Sequence, residues 1–481
     1  VRKIVSLRSP TRDSGMRFDI CYTAVQGFAS RMLTQTDLLG RLRDAGKTVA
    51  VIATDRNDPV LSRYCRERDI ALFEFDVKQE RFSDDYLVKR RYLLEDIRAN
   101  PALWEKHVAA TQYFKARNPL RRWRPHYYYL LHKLIPRFPA IRERFLRNEK
   151  RYLQSTEAER LMAEIRPAKL IATYPVNLNE AVLLHYGNRD PDVQTWIHLQ
   201  SWDNITCKGR FAEVADRYIA WGPVMLDELR QHYGVEDANV HVCGVPHFDQ
   251  HFDPGNEIRR PVALRQLGLD PARPYFMIAM SSPRFAPREI DIVEWLAHGI
   301  SAGDYGDCQL LVRPHPQNVQ GYLSDKSWLP RLQAMVGRPG VGVAFPQLAK
   351  SKMAWSLETD DMVELSALLS GAAVVLNSGS TVSIDAIMHD RPVVLTAFDG
   401  AINETYWRSA RRGVDYPHLA KLVGMGGITV TRSYAELGRA LRQYLAEPGM
   451  LAAEREQSAR AECLARDGAA TSRVVQALLA H

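Results

Sequence analysis

No stretch of the chain reaches the roughly 18 to 20 consecutive apolar residues that a bilayer span requires, so a membrane-spanning protein is not expected. CxxC spacing is missing. The six cysteines, Cys21, Cys65, Cys207, Cys243, Cys308 and Cys463, are scattered without a pairing pattern, which excludes a disulfide scaffold and fits reduced, cytosolic thiols. The opening VRKIVSLRSPTRDSG is basic but has no apolar h-region, so no secretion signal is expected and the protein should stay in the cytoplasm. Repeats and low-complexity tracts are also lacking. HExxH, Cys/His quartets and GxxxxGK[ST] loops do not occur, and the GxSxG string GISAG at 299–303 closes a helical period instead of forming a strand-to-helix elbow, which argues against metalloprotease, hydrolase and P-loop chemistry. The acidic pairs Asp84–Asp85 and Asp360–Asp361 fall in helix-like or pre-helix positions, so no metal site is expected.

What is present is a chain of 481 residues, 46% hydrophobic and 25% charged. That excludes a disordered or collagen-like protein and leaves an enzyme-sized globular one of two or three domains. The net charge of +8 suits an anionic partner such as a nucleotide, phospholipid or nucleic acid, although charge speaks to association and not to fold.

From Phe18 the order is FDICYTAV, QGFASRMLTQTDLLGRLRDAG and TVAVIATD: a short β-rich run, a helical period closed by Gly46, and a second short run. This is a βαβ unit, hence a parallel sheet. The series resumes at AKLIATYPV, NLNEAVLLHYG, VQTWIHLQ, DRYIAWG and VHVCGVPHF, whose short apolar runs fit strands buried on both faces. After the candidate linker HFDPGNEIRRP, a third series runs from PYFMIAMSS to RPVVLTAFDG. The expected fold class is α/β, with two doubly wound domains at 1–250 and 251–433 and C-terminal helices at 434–481 that cap the second domain or cross back to the first.

An insertion at about 80–160 differs in kind. Its KARNPLRRWRPHYYYLLHKLIPRFPAIRERFLRNEKR interleaves Arg and Lys with Trp123, Tyr127, Tyr128, Tyr129 and Phe138. Such a segment suits an anionic lipid surface, a helical hairpin with its aromatics packed inward or, with least support, nucleic acid.

Open α/β sheets bind ligands at the carboxyl ends of their strands, near helix N-termini, and four turns at such places carry suggestive residues. In VVLNSGSTVSIDA, Ser378, Gly379, Ser380 and Thr381 form a turn that lets backbone and hydroxyls approach a phosphate, and Asp385 is placed to accept from ribose. In LLVRPHPQN, Arg313 and His315 leave a strand between two prolines and offer cationic contacts. In IAMSSPRFAPRE, Ser281, Ser282 and Arg284 form another phosphate-facing or merely capping turn. In WIHLQSWDNITCKGR, His198, Asp203 and Asn204 follow a buried strand with Lys208 behind. Asp203 is the leading candidate for a general base, with Glu180 a competitor, Asp13 and Asp19 weaker ones, and Trp202 a surface for sugar or lipid.

These segments, above all the RPHP strand end and NSGSTVSIDAIMHDRPVV, resemble the GT-B superfamily, which includes glycosyltransferases, CDP-glycerol glycerophosphotransferases and non-hydrolysing UDP-GlcNAc 2-epimerases. The SWDNITCKGR, ADRYIAWG and VHVCGVPHFD stretches are similar to bacterial surface-carbohydrate transferases. The resemblance runs from about Phe18 to Gly400 without the insertion. It implies a metal-independent, cofactor-free transferase with an acceptor-binding first domain and a donor-binding second domain. The nucleotide-sugar donor, UDP-linked or CMP/CDP-linked, would be held by His315, Ser378, Ser380, Thr381 and Asp385. The acceptor would be a glycan or lipid-linked molecule of surface polysaccharide or glycolipid synthesis, reached at the inner membrane face through the basic insertion, with inversion at the anomeric centre. A CDP-polyol phosphotransferase is the main alternative and a non-catalytic nucleic-acid or membrane adaptor a further one. A 2-epimerase is also more distant, since SSPRFAP, NSGSTVSIDA and HLQSWDN stand where epimerases carry HRxEN-like, DSGGxQEEA and HVEAGLR segments.

Overall fold

The computed structural model describes residues 17–77, 97–117, 123–134, 137–319 and 327–480. Asp13, Asp84 and Asp85 lie outside them, as does the side chain of Tyr128.

Among the described residues thirteen strands build two parallel sheets. The first contains β1 (Ile20–Ala24), β2 (Val49–Ala53), β3 (Ala71–Glu74), β4 (Lys169–Ala172), β5 (Gln194–His198), β6 (Arg217–Ala220) and β7 (Val240–Val242), in the order β3-β2-β1-β4-β5-β6-β7. The second contains β8 (Tyr275–Ala279), β9 (Gln309–Arg313), β10 (Val341–Val343), β11 (Val374–Asn377), β12 (Val393–Thr396) and β13 (Ile428–Thr431), in the order β10-β9-β8-β11-β12-β13. Both are doubly wound. Their central strands, VAVIA and YFMIA among them, are buried along their whole length, because helices cover both faces of a parallel sheet. The strand order reverses between β1 and β4 in one half and between β8 and β11 in the other, which is where such sheets open a crevice.

Loops beyond the strand ends of one sheet touch those of the other. Gly27, just after β1, donates its N–H to the Ala354 carbonyl at 2.8 Å, and the Ser356 hydroxyl donates to Asp58 at 2.6 Å. Trp202, beyond β5, lies edge-on to His418, beyond β12, with centroids 4.6 Å apart. The core is shared as well: one apolar cluster holds Trp202, Trp221 and Phe248 together with Leu368, Ile384 and Leu419.

The segment expected as a linker is packed structure. Pro246–Phe252 is a 3-10 turn and Asn256–Gln266 a helix. The final helix, Ala470–Ala480, returns to the first domain, where Val474 and Leu478 join the apolar cluster of Ile20, Leu39 and Val51. Its first N–H groups, of Ala470 and Thr471, are capped by Asp249 at 3.0 and 2.8 Å.

The insertion enters between β3 and β4 with helices Pro101–Arg117, Arg124–Leu134 and Pro139–Glu149. Tyr129 packs against Trp104 at 5.3 Å. Trp123, Tyr127, Leu130 and Phe138 are exposed. The helix Thr156–Ile165 that follows belongs to the first domain's core through Ala158, Leu161 and Ile165. Among the described residues no helix is long and apolar enough to cross a membrane.

Because Leu478 is fully buried in the first domain, Leu478→Ala should cost about 2–5 kcal/mol, read as a lower urea midpoint for unfolding.

Candidate functional site

The second sheet supplies one wall. At the end of β9, His315 accepts the Gln317 N–H on Nδ1 at 3.1 Å. That N–H can only donate, so the neutral ring carries its proton on Nε2, free to be offered to a ligand. Burial holds the imidazole neutral by pulling its pKa down to about 4. Trp355 lies edge-on to it at 5.4 Å.

Arg313 corrects the expectation of a phosphate contact. Its guanidinium is buried and donates to Asp361 at 2.6 Å and to the Ala344 carbonyl at 3.2 Å, and Asp361 also takes the Gln347 N–H at 2.8 Å. The pair anchors the loop after β10. It is spent on structure.

At the end of β11 the Asn377 carboxamide oxygen accepts the N–H groups of Gly379 and Ser380 at 2.8 and 2.9 Å. Two of the amides expected to face a phosphate are therefore turned inward. Gly379 has φ 101°, a backbone state that disfavours any side chain. The Ser378 hydroxyl pairs with that of Thr396 at 2.8 Å, and the Ser380 hydroxyl accepts from Val382 N–H at 3.2 Å while remaining able to donate. Thr381 is half-buried, and its hydroxyl makes no hydrogen bond among the described residues. Asp385 departs from the expected ribose contact: one oxygen holds His251 Nε2 at 2.9 Å, in the connector between the domains.

Beyond β8, Ser282 donates to Gln317 at 2.9 Å, whereas the buried Ser281 hydroxyl has no partner. The Arg284 guanidinium lies 3.6 Å from Glu105 of the insertion, a carboxylate that also receives the Tyr416 hydroxyl, so Arg284 joins an inter-domain cluster. Glu289, which the sequence reading passed over, opens the next helix and accepts the Ser281 N–H at 2.6 Å. Burial pushes its carboxyl up to about 7, although Ser378 and the Ser281 N–H favour the charged form.

The first sheet supplies the other wall. Glu180 is fully buried and accepts from the Thr23 and Thr173 hydroxyls at 2.6 and 2.9 Å and from the Tyr174 N–H at 2.5 Å. Burial raises its pKa against these bonds. A carboxylate so occupied braces the strand ends and has no role as a mobile base.

Asp203 is held in an ion pair. Burial alone would raise its pKa, but Lys208 at 2.7 Å and the Ser201 hydroxyl at 2.8 Å outweigh it and hold the carboxylate at about 2. Trp202 is buried against His418 and offers no face to a sugar. Asp19 lies at the opposite end of β1, bound to Thr48.

His198 remains. It ends β5, its Nδ1 lies 3.2 Å from the Tyr22 hydroxyl, and its buried Nε2 has no partner. Burial pulls its pKa down to about 3. Among the described residues no group of three or more His, Cys, Asp or Glu side chains converges to hold a metal.

No protein-family model matches the chain, and no curated protein matches its sequence. Solved structures do match along nearly its whole length. A Listeria monocytogenes protein assigned as a UDP-N-acetylglucosamine 2-epimerase superposes with a TM-score of 0.57 at 11% identity, covering 97% of both chains. The Neisseria meningitidis UDP-GlcNAc 2-epimerase bound to UDP-GlcNAc gives 0.53 at 9% identity, covering 96% of this chain and all of that one. The chain has the GT-B fold. Anabaena HepE, solved with UDP and glucose, follows at 0.49 and 11% identity over 96% of this chain and 100% of that one.

The GT-B crevice buries an ionisable carboxyl whose pH dependence can be measured. The folded pKa of Glu289, about 7, lies above its ordinary 4.5, so its contribution is fully present below pH 4.5 and is lost as pH rises through 7. Glu289→Gln cannot titrate. Its melting temperature should therefore gain on that of the wild type across this window, and two parallel profiles would contradict the assignment.

Proposed function

We propose that the protein is a nucleotide-sugar-dependent glycosyltransferase. The observation that carries this reading is the set of unspent donors around the β8/β11 crevice, His315 Nε2–H and the Ser281, Ser380 and Thr381 hydroxyls, beside a Glu289 carboxyl whose charge burial disfavours. Hydroxyls and a neutral imidazole N–H can bond phosphate oxygens and take up the charge that develops on a leaving nucleotide. The nucleotide-sugar held by the Neisseria epimerase of like fold supports the same ligand class here.

On the acceptor side the base passes from Asp203 to His198. With a proton on Nδ1, directed at the Tyr22 oxygen, Nε2 presents a lone pair to an acceptor hydroxyl. The hydroxyl oxygen attacks the anomeric carbon, its proton goes to His198, and the bond to the nucleotide phosphate breaks with the electron pair staying on phosphate. A single displacement of this kind inverts the centre.

A 2-epimerase is the second reading, favoured by Glu289, whose carboxyl near 7 can give or take a proton at neutral pH. A thermal-shift panel of UDP, GDP, TDP, CMP and CDP, followed by nucleotide release from the matching sugar donor, tests both. We expect a nucleotide-dependent rise in melting temperature that His315→Ala removes. Nucleotide release should fall about 10²–10⁴-fold in His198→Asn and persist in folded Asp203→Asn. Incorporation of solvent deuterium at C2 of UDP-GlcNAc, without nucleotide release, would replace transfer by epimerisation.

Trp123, Tyr127, Leu130 and Phe138 stand exposed among the arginines and lysines of the insertion, as an interfacial helix on anionic lipid would present them. Vesicles rich in phosphatidylglycerol should sediment the protein, neutral phosphatidylcholine vesicles should not, and a Trp123→Ala, Phe138→Ala double variant should remain in the supernatant.

A further inference from the structure

After β10 the chain folds back on itself in a hairpin that crosses to the first domain. Its root is fixed in the second: Leu348 and Leu357 form an antiparallel bridge, Ala349 N–H donates to the Ser356 carbonyl at 3.0 Å, and Glu358 N–H donates to the Gln347 carbonyl at 2.9 Å. Below them Asp361 holds the Gln347 N–H at 2.8 Å and the Arg313 guanidinium at 2.6 Å. The root is thus tied to the strand end that leads to His315.

The tip is held by the other domain. Beyond β2, Asp55 accepts the Lys352 N–H at 3.0 Å and Asp58 accepts the Ser356 hydroxyl at 2.6 Å, while Gly27 N–H donates to the Ala354 carbonyl at 2.8 Å. Met353 is 4% exposed and sits in the first domain's apolar cluster with Met32, Leu33 and Leu61. Gly27 marks a close approach, since a Cβ there would lie 2.1 Å from the Trp355 carbonyl oxygen. Strain opposes these contacts. Trp355 takes φ 66°, a backbone state that is costly for a bulky side chain and persists only where the surroundings impose it. Its ring stacks on Phe28 of the first domain, with centroids 6.3 Å apart, and lies edge-on to His315 at 5.4 Å.

We propose that the hairpin 347–358 is a lid over His315 that lifts its tip from the first domain to admit the nucleotide and seats again behind it. A few hydrogen bonds, one methionine and a strained tip make an element with two arrangements, of the kind from which lids are built. The root contacts survive when the tip lifts, because none of them crosses between the domains. The nucleotide as the ligand admitted rests on the glycosyltransferase reading; the lid itself does not.

Hydrogen exchange on the intact protein, with and without saturating UDP, and stopped-flow binding and release of UDP test the proposal. The amides of Gly27 and Lys352 should exchange faster than those of Ala349 and Glu358, and UDP should slow the first pair. UDP should associate and leave about tenfold or more faster in Met353→Ala. Both rates should also rise in Ser356→Ala, which spares the Asp58 cap of Leu61 N–H. Equal exchange of the two amide pairs, or UDP rates unchanged in both folded variants, would overturn the lid. If UDP fails to bind while Gly27 and Lys352 still exchange faster, the donor reading falls and the lid stands.

Discussion

A carboxylate sealed between the two strands that flank each switch point sets the geometry on which the site depends. In the first half Glu180 takes hydrogen bonds from Thr23, at β1, and from Thr173 and Tyr174, at β4. In the second, Glu289 takes the Ser281 N–H after β8 and lies against Ser378 after β11. Each acid stands in the first turn of a helix, where the peptide dipoles favour a negative group. The strand ends on either side of each switch point are thus tied by an interaction that a solvated loop could not supply. Turns that must present hydroxyls to a ligand need such bracing, since their own backbone has few partners.

The difference between the two glutamates follows from their neighbours. Glu180 is surrounded by two hydroxyl donors and a backbone N–H, and all its bonding capacity goes into holding the strand ends. Glu289 keeps one oxygen without a partner, so burial dominates its titration. One acid serves as a rivet, and the other remains chemically responsive at neutral pH.

The fold was legible in the sequence because both sheets are parallel. Runs such as VAVIA and YFMIA must be apolar on both faces, and the helices between them carry the 3.6-residue period. The site was less legible because its side chains are allocated by partners far along the chain. Arg313 is claimed by Asp361, 48 residues on, and Asp385 by His251, 134 residues back. Nothing local to RPHP or NSGSTVSIDA announces either pairing. Asp203 is different: Lys208 stands five residues away and was visible, but whether it neutralises the acid or merely adjoins it depends on how the loop closes. Glu289 was overlooked because a lone acidic residue within a helix has no distinctive spacing; its meaning comes from an atom left without a partner.

The chain passes between the two halves twice, forward through Pro246–Phe252 and back ahead of Ala470–Ala480, and Asp249 of the first passage holds the start of the second. Two adjacent strands of chain pinned together constrain relative motion far more than a single tether. Any displacement of one half against the other must therefore carry both passages of chain together.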